Sequence, residues 1–161
     1  MKYVEALLQN EQYLKLQQQI HELEEKRIFC KHDFSHLLDV CRIAYIMNLE
    51  NHLGMDKEMV YLCGLLHDIG RGQEYLTGVS HEKAGVEVAS VILEDIHCPL
   101  ELKQRILKEI GSHRNKPEDM TKVTKDNLFY LADKKARNCF FCPANKECNW
   151  SEDKKTKTIL Y

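Results

Sequence analysis

Residues 60–70 read VYLCGLLHDIG and carry the strongest signal in the chain for its fold. A mostly apolar run leads into His67 and Asp68, and Ile69 and Gly70 follow. An imidazole and a carboxylate beside so much apolar surface are costly to bury unless they bind something together. A divalent cation would bind both side chains. The stretch therefore predicts a buried helix that ends at a metal site.

The apolar pattern of the rest of the chain is also helical. Only seven glycines and three prolines interrupt its 161 residues, and most apolar residues recur at helical spacing. Helices are predicted over about residues 3–27 (one or two helices), 34–50, 57–67, 81–93, 99–111 and 126–136. Ser80 and Asp126 are the predicted N-caps of two of them, and the glycines between residues 70 and 78 predict a loop.

These elements predict an all-α fold with three parts. Residues 1–29 form an N-terminal helical extension packed on the core, residues 30–137 a compact metal-binding helical domain, and residues 138–161 a Cys-containing tail. The formal net charge of −2 gives no field that favours a nucleic-acid or membrane partner. No stretch resembles a signal peptide or approaches about 18 continuous apolar residues, so a cytoplasmic protein is expected.

Further metal-ligand side chains occur along the same domain, each in a helical setting: His36, His81, His113 and Asp133. Together with His67 and Asp68 they suit one or two divalent ions (Fe, Mn, Zn, Co or Mg) better than calcium, which prefers oxygen ligands alone. A plain hydrogen bond at the helix end would explain the first pair but not the other four. A second His-Asp pair, His32 and Asp33, predicts a helix cap at Asp33 and at most an outer ligand or substrate contact at His32.

Three segments resemble the HD superfamily of metal-dependent phosphohydrolases. They are HLLDVCRIA (36–44), LLHDIG (65–70) and YLADK (130–134), and they occur in the order found in that family. The resemblance covers roughly residues 30–137. It implies that one metal is held by His36, His67, Asp68 and Asp133. It also implies that His81 and His113 bind a second metal, with Asp68 bridging the two.

The same resemblance implies hydrolysis of a phosphomonoester or phosphodiester by metal-activated water, with Asp68 and Arg137 as catalytic residues. Arg137 lies one helical turn after Asp133, an arrangement similar to the dinucleoside-polyphosphate branch of the family. The expected substrate is therefore small and phosphorylated, a nucleotide or a dinucleoside polyphosphate, and a homo-oligomer is left open. The candidate phosphate-binding residues are Arg137, Arg71, Arg114 and Lys134. The alternatives are a non-catalytic nucleotide or metal/redox-sensing module on the same scaffold, and a helical interaction module.

The C-terminal tail lies outside this resemblance. Its cysteines, Cys139, Cys142 and Cys148, begin with a spacing typical of zinc or iron–sulfur ligands. A structural zinc site needs four ligands, and Cys30, Cys98 or a histidine would have to supply the fourth. The alternative is a loop of reduced thiols packed by the neighbouring aromatic residues Phe140, Phe141 and Trp150.

Overall fold

The computed structural model describes residues 1–161 as eight α-helices and two short 3₁₀ turns, and the predicted all-α fold is confirmed. The helices are α1 (Lys2–Gln9), α2 (Glu11–Leu23), α3 (Phe34–Glu50), α4 (Lys57–Leu66), α5 (Arg71–Thr77), α6 (His81–Asp95), α7 (Leu100–Ser112) and α8 (Leu128–Lys135). The 3₁₀ turns are Lys125–Asn127 and Cys139–Phe141. None of the helices combines the length and the apolar character needed to cross a membrane.

The antiparallel pair α3 and α4 forms the centre of the molecule. Helix α8 packs on α3, and α1 and α7 pack on α4, whereas α6 packs on α7 and α5 on α6 in a further layer. Leu37 and Val40 of α3 and Leu62 and Leu66 of α4 are fully buried in one continuous core. Burial of each such side chain stabilises the fold by roughly 1.5–3 kcal/mol. The end of α4, where His67 follows Leu66, is therefore held rigidly.

The N-terminal helices contact both the core and the region around His67. Val4 and Leu7 of α1 join the core, and the backbone N–H groups at the start of α1 donate to the Glu58 carboxylate of α4. The hydroxyl of Tyr13 donates to the carbonyl of Leu65, two residues before His67 (3.3 Å). Helix α2 packs on α5, which brings its C-terminal end towards the same region.

Two local predictions are wrong. Residues 71–77 form helix α5 rather than a loop, and this helix packs on α2 and α6, with Gly72 buried against Gln19 of α2. Tertiary packing here overrides the low helix propensity of glycine. Asp126 does not cap the last helix: Thr124 and Asn127 form a capping box around the preceding 3₁₀ turn.

Candidate metal centre

Four buried side chains converge from three helices. His36 lies in the first turn of α3, where its backbone N–H donates to the Asp33 side chain (2.9 Å), so the predicted Asp33 cap is present. His67 caps the C-terminal end of α4, and Asp68 follows in the turn. Asp133 lies in α8. One donor atom from each of His36, His67, Asp68 and Asp133 lies within 4.8 Å of the others.

Asp68 also belongs to a second group, with His81 and His113. His81 begins α6 and His113 caps the C-terminal end of α7. Their Nε2 atoms lie 3.2 Å and 4.0 Å from Asp68 Oδ1. Asp68 Oδ2 faces the first group instead, 3.1 Å from His67 Nε2 and 3.9 Å from His36 Nε2. The two oxygens of one carboxylate thus face two different sets of histidines.

The outer ring nitrogens of these histidines are held by hydrogen bonds that aim Nε2 at the centre. The Nδ1 atoms of His67 and His113 lie 2.7 Å and 2.6 Å from the carbonyl oxygens of Gly64 and Ile110, three residues earlier. An N–H on Nδ1 that donates to a carbonyl leaves Nε2 as a lone-pair donor for a metal. His81 Nδ1 bonds to Glu74 of α5 (2.9 Å), which orients its ring in the same way.

Several polar atoms at the centre have no hydrogen-bond partner although they are fully buried. They are His36 Nε2, His67 Nε2 and Asp68 Oδ2, which face one another. A buried polar atom without a partner costs free energy of about 1–3 kcal/mol, so such atoms are rare and mark places where something binds. Two imidazoles and a carboxylate with free lone pairs form a donor set that fits a divalent transition-metal ion.

The protonation states also suit metal ligation. Burial lowers the pKa of His36 and of His113 to about 4, so both rings are neutral at pH 7. Burial alone would raise the pKa of the Asp68 carboxyl, but the neighbouring His67, whose own pKa is raised beside Asp68, and Arg71 lower it well below its usual range. The pKa of Asp133 is lowered in the same way, by the adjacent His36 ring (Nε2 to Oδ1, 3.2 Å) and by the cations Arg137 and Lys134. Neutral imidazoles and ionised carboxylates are the forms that bind metals, so His36, His113 and the two carboxylates already suit ligation, and a metal ion would displace the proton from His67.

A close approach of two backbones places His81 in the centre. Gly70 has φ −79°, so the backbone there needs no left-handed conformation. A methyl group on its Cα would instead overlap the His81 carbonyl oxygen and the backbone nitrogen of Gly85, both on α6. The chain does turn between α4 and α5 at residues 67–70, and close packing adds a second requirement for glycine at position 70. Glycine at position 70 allows α6 to pack against the turn that carries Asp68.

The four predicted phosphate-binding residues differ in whether they contact the carboxylates of the centre. Arg71 Nε donates to Asp68 Oδ1 (2.9 Å), and Lys134 Nζ donates to Asp133 Oδ2 (2.8 Å). Arg137 is buried, and its guanidinium donates to Asp133 Oδ1 (3.0 Å) and to the carbonyl of Lys31 (3.2 Å). The Arg114 side chain is half exposed and lies only near Glu82, 3.8 Å away.

His32 and Glu24 belong to the surroundings of the centre more closely than the sequence indicates. His32 is buried, its Nε2 lies 3.9 Å from Asp68 Oδ2, and its Nδ1 bonds to Glu24 at the C-terminal end of α2 (2.5 Å). The spacing of His32 from His36 hints at this position. No sequence pattern marks Glu24, because only the packing of α2 brings it there.

An open groove of about 290 Å³ leads along the surface to His36. Its lining includes Lys31, Ser35, Arg137 and Asn138, and also Cys30, Cys139 and Cys142. Cys148 lies with those three cysteines in an adjoining small cavity. The C-terminal tail therefore borders the groove that reaches His36 of the candidate centre.

Comparisons with known proteins agree on one family. The family model described as HD domain matches residues 33–138. An uncharacterized protein of Clostridium beijerinckii is 36% identical over 156 residues, which cover 97% of each chain. Ribonuclease Y 1 of Pediococcus pentosaceus is 33% identical over 70 residues, which make up 44% of this chain and only 13% of the ribonuclease.

A solved structure supports the same assignment. It is the crystal structure of a predicted HD superfamily hydrolase from an uncultured Thermotogales bacterium, with a TM-score of 0.61 and 25% sequence identity over 88% of this chain and 80% of that one. The segment matched by the family model contains all six donor residues of the two groups. The resemblance seen in the sequence is confirmed, and the chain belongs to the HD domain family, within the HD superfamily of hydrolases.

Proposed function

We propose that this chain is a metal-dependent phosphohydrolase that cleaves a phosphomonoester or phosphodiester of a nucleotide or dinucleoside polyphosphate. The observation that carries the proposal is the position of Asp68 between two groups of buried histidines, one at each carboxylate oxygen. A single structural ion would not require a carboxylate shared in this way. Two neighbouring ions that act on one phosphate group would.

The chain's own residues divide into two ligand sets. His36, His67, Asp68 and Asp133 would hold one ion, and Asp68, His81 and His113 the other. When bound, divalent ions supply Lewis acidity towards phosphate oxygens and lower the pKa of a water molecule beside them. Because the pKa of Asp68 lies well below its usual range, its carboxylate stays ionised and can orient the attacking water by accepting a hydrogen bond.

Arg71 and Lys134 are the residues best placed to bind substrate phosphate. Both reach carboxylates of the centre, and their side chains are 18% and 35% exposed, so each also faces solvent. The Arg137 side chain is only 7% exposed and is bonded to Asp133 and to the Lys31 carbonyl. We therefore propose that Arg137 positions Asp133 and does not itself bind the substrate phosphate.

The groove beside His36 supports a small substrate. Its volume of about 290 Å³ lies at the lower end of the range for small-ligand pockets. Lys31 and Asn138 line its wall and offer one cation and one amide to a polar ligand. The lack of a net positive charge on the chain favours a small nucleotide over a nucleic acid.

The proposal is tested with purified protein loaded in turn with Mn²⁺, Fe²⁺, Co²⁺, Zn²⁺ or Mg²⁺. The substrates are nucleoside monophosphates, a phosphodiester, dinucleoside tetraphosphates and a short RNA. We expect hydrolysis of at least one small substrate and a loss of at least about 100-fold in Asp68→Asn. The control Asp119→Asn, on an exposed loop, should keep full activity. No turnover with any metal, or equal activity in Asp68→Asn, would refute the proposal.

A second variant separates the two roles of Arg137. If Arg137 positions Asp133, Arg137→Ala should lower metal affinity by about 10–100-fold, and saturating metal should restore much of the activity. If it binds phosphate instead, KM should rise while metal affinity stays unchanged. Metal titration and substrate kinetics on the same preparation distinguish the two results.

A further inference from the structure

Four cysteines from two distant segments meet at one small cavity. Cys30 precedes α3, whereas Cys139, Cys142 and Cys148 belong to the C-terminal tail. All four line a cavity of about 10 Å³, together with Phe29, Asn145 and Lys155. None of the four forms a disulfide. The structure thus supplies the fourth cysteine that the tail lacks, and of the candidates in the sequence it selects Cys30.

The tail around these cysteines has no hydrophobic core of its own. Among residues 138–161 only Cys139 and Thr156 are buried. Phe141 is 85% exposed and Phe140 is 42% exposed, so the interpretation of a loop packed by these two aromatic residues is wrong. A segment of this length that buries so little apolar surface cannot offset the entropy of its ordering unless a cross-link or a metal holds it.

Hydrogen bonds nevertheless fold the tail into turns around the cysteines. The backbone N–H of Cys142 donates to the Cys139 carbonyl (3.3 Å), and that of Asn145 donates to the Cys142 carbonyl (3.1 Å). The Asn145 side chain donates to the Cys139 carbonyl as well. A Cys-x₂-Cys pair within such turns is the usual half of a zinc site.

We propose that Cys30, Cys139, Cys142 and Cys148 bind one structural zinc ion as four thiolates. The small cavity between the four cysteines suits a single ion. The donor atoms of the histidine–aspartate groups already lie within 4.8 Å of one another, and the cysteine sulfurs are not gathered that tightly. Side-chain rotation and a small loop movement must bring the four cysteine sulfurs to about 3.8 Å from one another, the separation that tetrahedral Zn–S bonds of about 2.3 Å require.

Cationic side chains near the cavity can offset the charge of a four-thiolate site. A zinc ion with four thiolates carries a net charge of −2, which nearby cations can offset. The Lys155 side chain lines the cavity, is only 8% exposed and donates to the Asn145 carbonyl (2.9 Å). Burial raises the pKa of the Cys30 thiol, and the nearby cationic guanidinium of Arg137 opposes that rise. Zinc binding itself would displace the thiol proton.

The site would join two segments that border the histidine–aspartate centre. Cys30 lies two residues before His32, and Lys31 between them accepts a hydrogen bond from Arg137 through its carbonyl. Cys139 follows Arg137 by two residues. A zinc ion shared by both segments would therefore hold His32 and Arg137 in place near Asp68 and Asp133. This inference concerns a separate site and stands whether or not the chain is a phosphohydrolase.

The test measures zinc in protein made with excess zinc, in an Asp68→Ala background that weakens the other centre. We expect about one zinc per chain, lost in Cys148→Ser and in Cys30→Ser. The matched control Cys98→Ser removes a cysteine outside the cavity and should keep the ion. Absence of zinc in the background variant, or equal loss in Cys98→Ser, would overturn the proposal.

Cobalt substitution of the unaltered chain keeps the proposal testable if the serine variants do not fold. Tetrahedral thiolate ligation predicts an intense sulfur-to-cobalt charge-transfer band that saturates at about one equivalent of Co²⁺ per chain. Titration without that band would refute thiolate ligation, and the absorption of an iron–sulfur cluster in the purified protein would refute zinc. Neither result depends on phosphatase activity, so failure of this site and failure of the proposed function are distinguishable.

Discussion

Gly70→Ala tests whether close packing of α6 against the Asp68 turn builds the second half of the centre. The added methyl carbon would lie 2.5 Å from Gly85 N and 3.0 Å from Gly85 Cα, and nearer still to the His81 oxygen. Ordinary contacts begin at 3.4 Å, so the backbone of α6 must move away by about 1 Å. His81 Nε2, now 3.2 Å from Asp68 Oδ1, would move with it.

The expected cost follows from this displacement. Overpacking of this kind destabilises a fold by about 1–3 kcal/mol, which lowers Tm by roughly 2–12 °C in a chain of this size. A shift of about 1 Å at a catalytic group costs up to about 100-fold in rate. Thermal unfolding and metal titration on the same sample measure both effects, and the affinity for the second equivalent of metal should fall more than that for the first.

Gly85→Ala is the matched control on the other side of the same contact. Its methyl group would meet Ile110 Cγ2 at 3.4 Å and Gly70 N at 3.6 Å, which are ordinary contacts. Alanine also favours the helix over glycine by up to about 1 kcal/mol. Tm should therefore stay level or rise. If both variants lose the same stability, or if Gly70→Ala keeps Tm and metal affinity, the reasoning about close packing is wrong.

Two further predictions concern the ligands. Glu74→Gln leaves the His81 ring with a neutral partner, and affinity for the second metal should fall by about 10–100-fold in a metal titration, whereas an unchanged affinity would remove Glu74 from the site. Metal-free protein should lose on the order of a few kcal/mol as pH falls from 6.5 towards 4, because His36 and His113 have folded-state pKa values of about 4, below the unfolded value of 6.5. Their contribution is complete above pH 6.5. The pKa of His67 is raised, so this residue stabilises the fold as pH falls, but we expect the effect of His36 and His113 to be larger. A Tm that stays constant or rises as pH falls from 7 to 5 would contradict this prediction.

The helices and the six donor residues could be predicted from the sequence because the signals are local. Apolar spacing predicts α3, α4 and α8, and the motifs around His36, His67 and Asp133 lie on those helices. His67 and His113 also share a feature that follows from local geometry. Each caps the C-terminal end of its helix and bonds through Nδ1 to the carbonyl three residues earlier.

The rest depends on contacts between distant segments. A glycine at position 70 predicts a break, but only the approach of α6 shows that close packing requires it. Glu24 comes to His32 because α2 packs on α5, and Cys30 comes to the tail cysteines because α8 ends beside the segment before α3. Spacing along the chain carries no information about these pairs.

The most direct test of the histidine–aspartate centre is metal content in a Cys148→Ser background, where the proposed zinc site of the tail no longer contributes. We predict about two equivalents of divalent metal per chain, falling to one or fewer in Asp68→Ala, which removes the carboxylate common to both groups. The control Asp119→Asn should leave the content unchanged. A metal content that Asp68→Ala does not alter, with helical content preserved, would contradict the central claim.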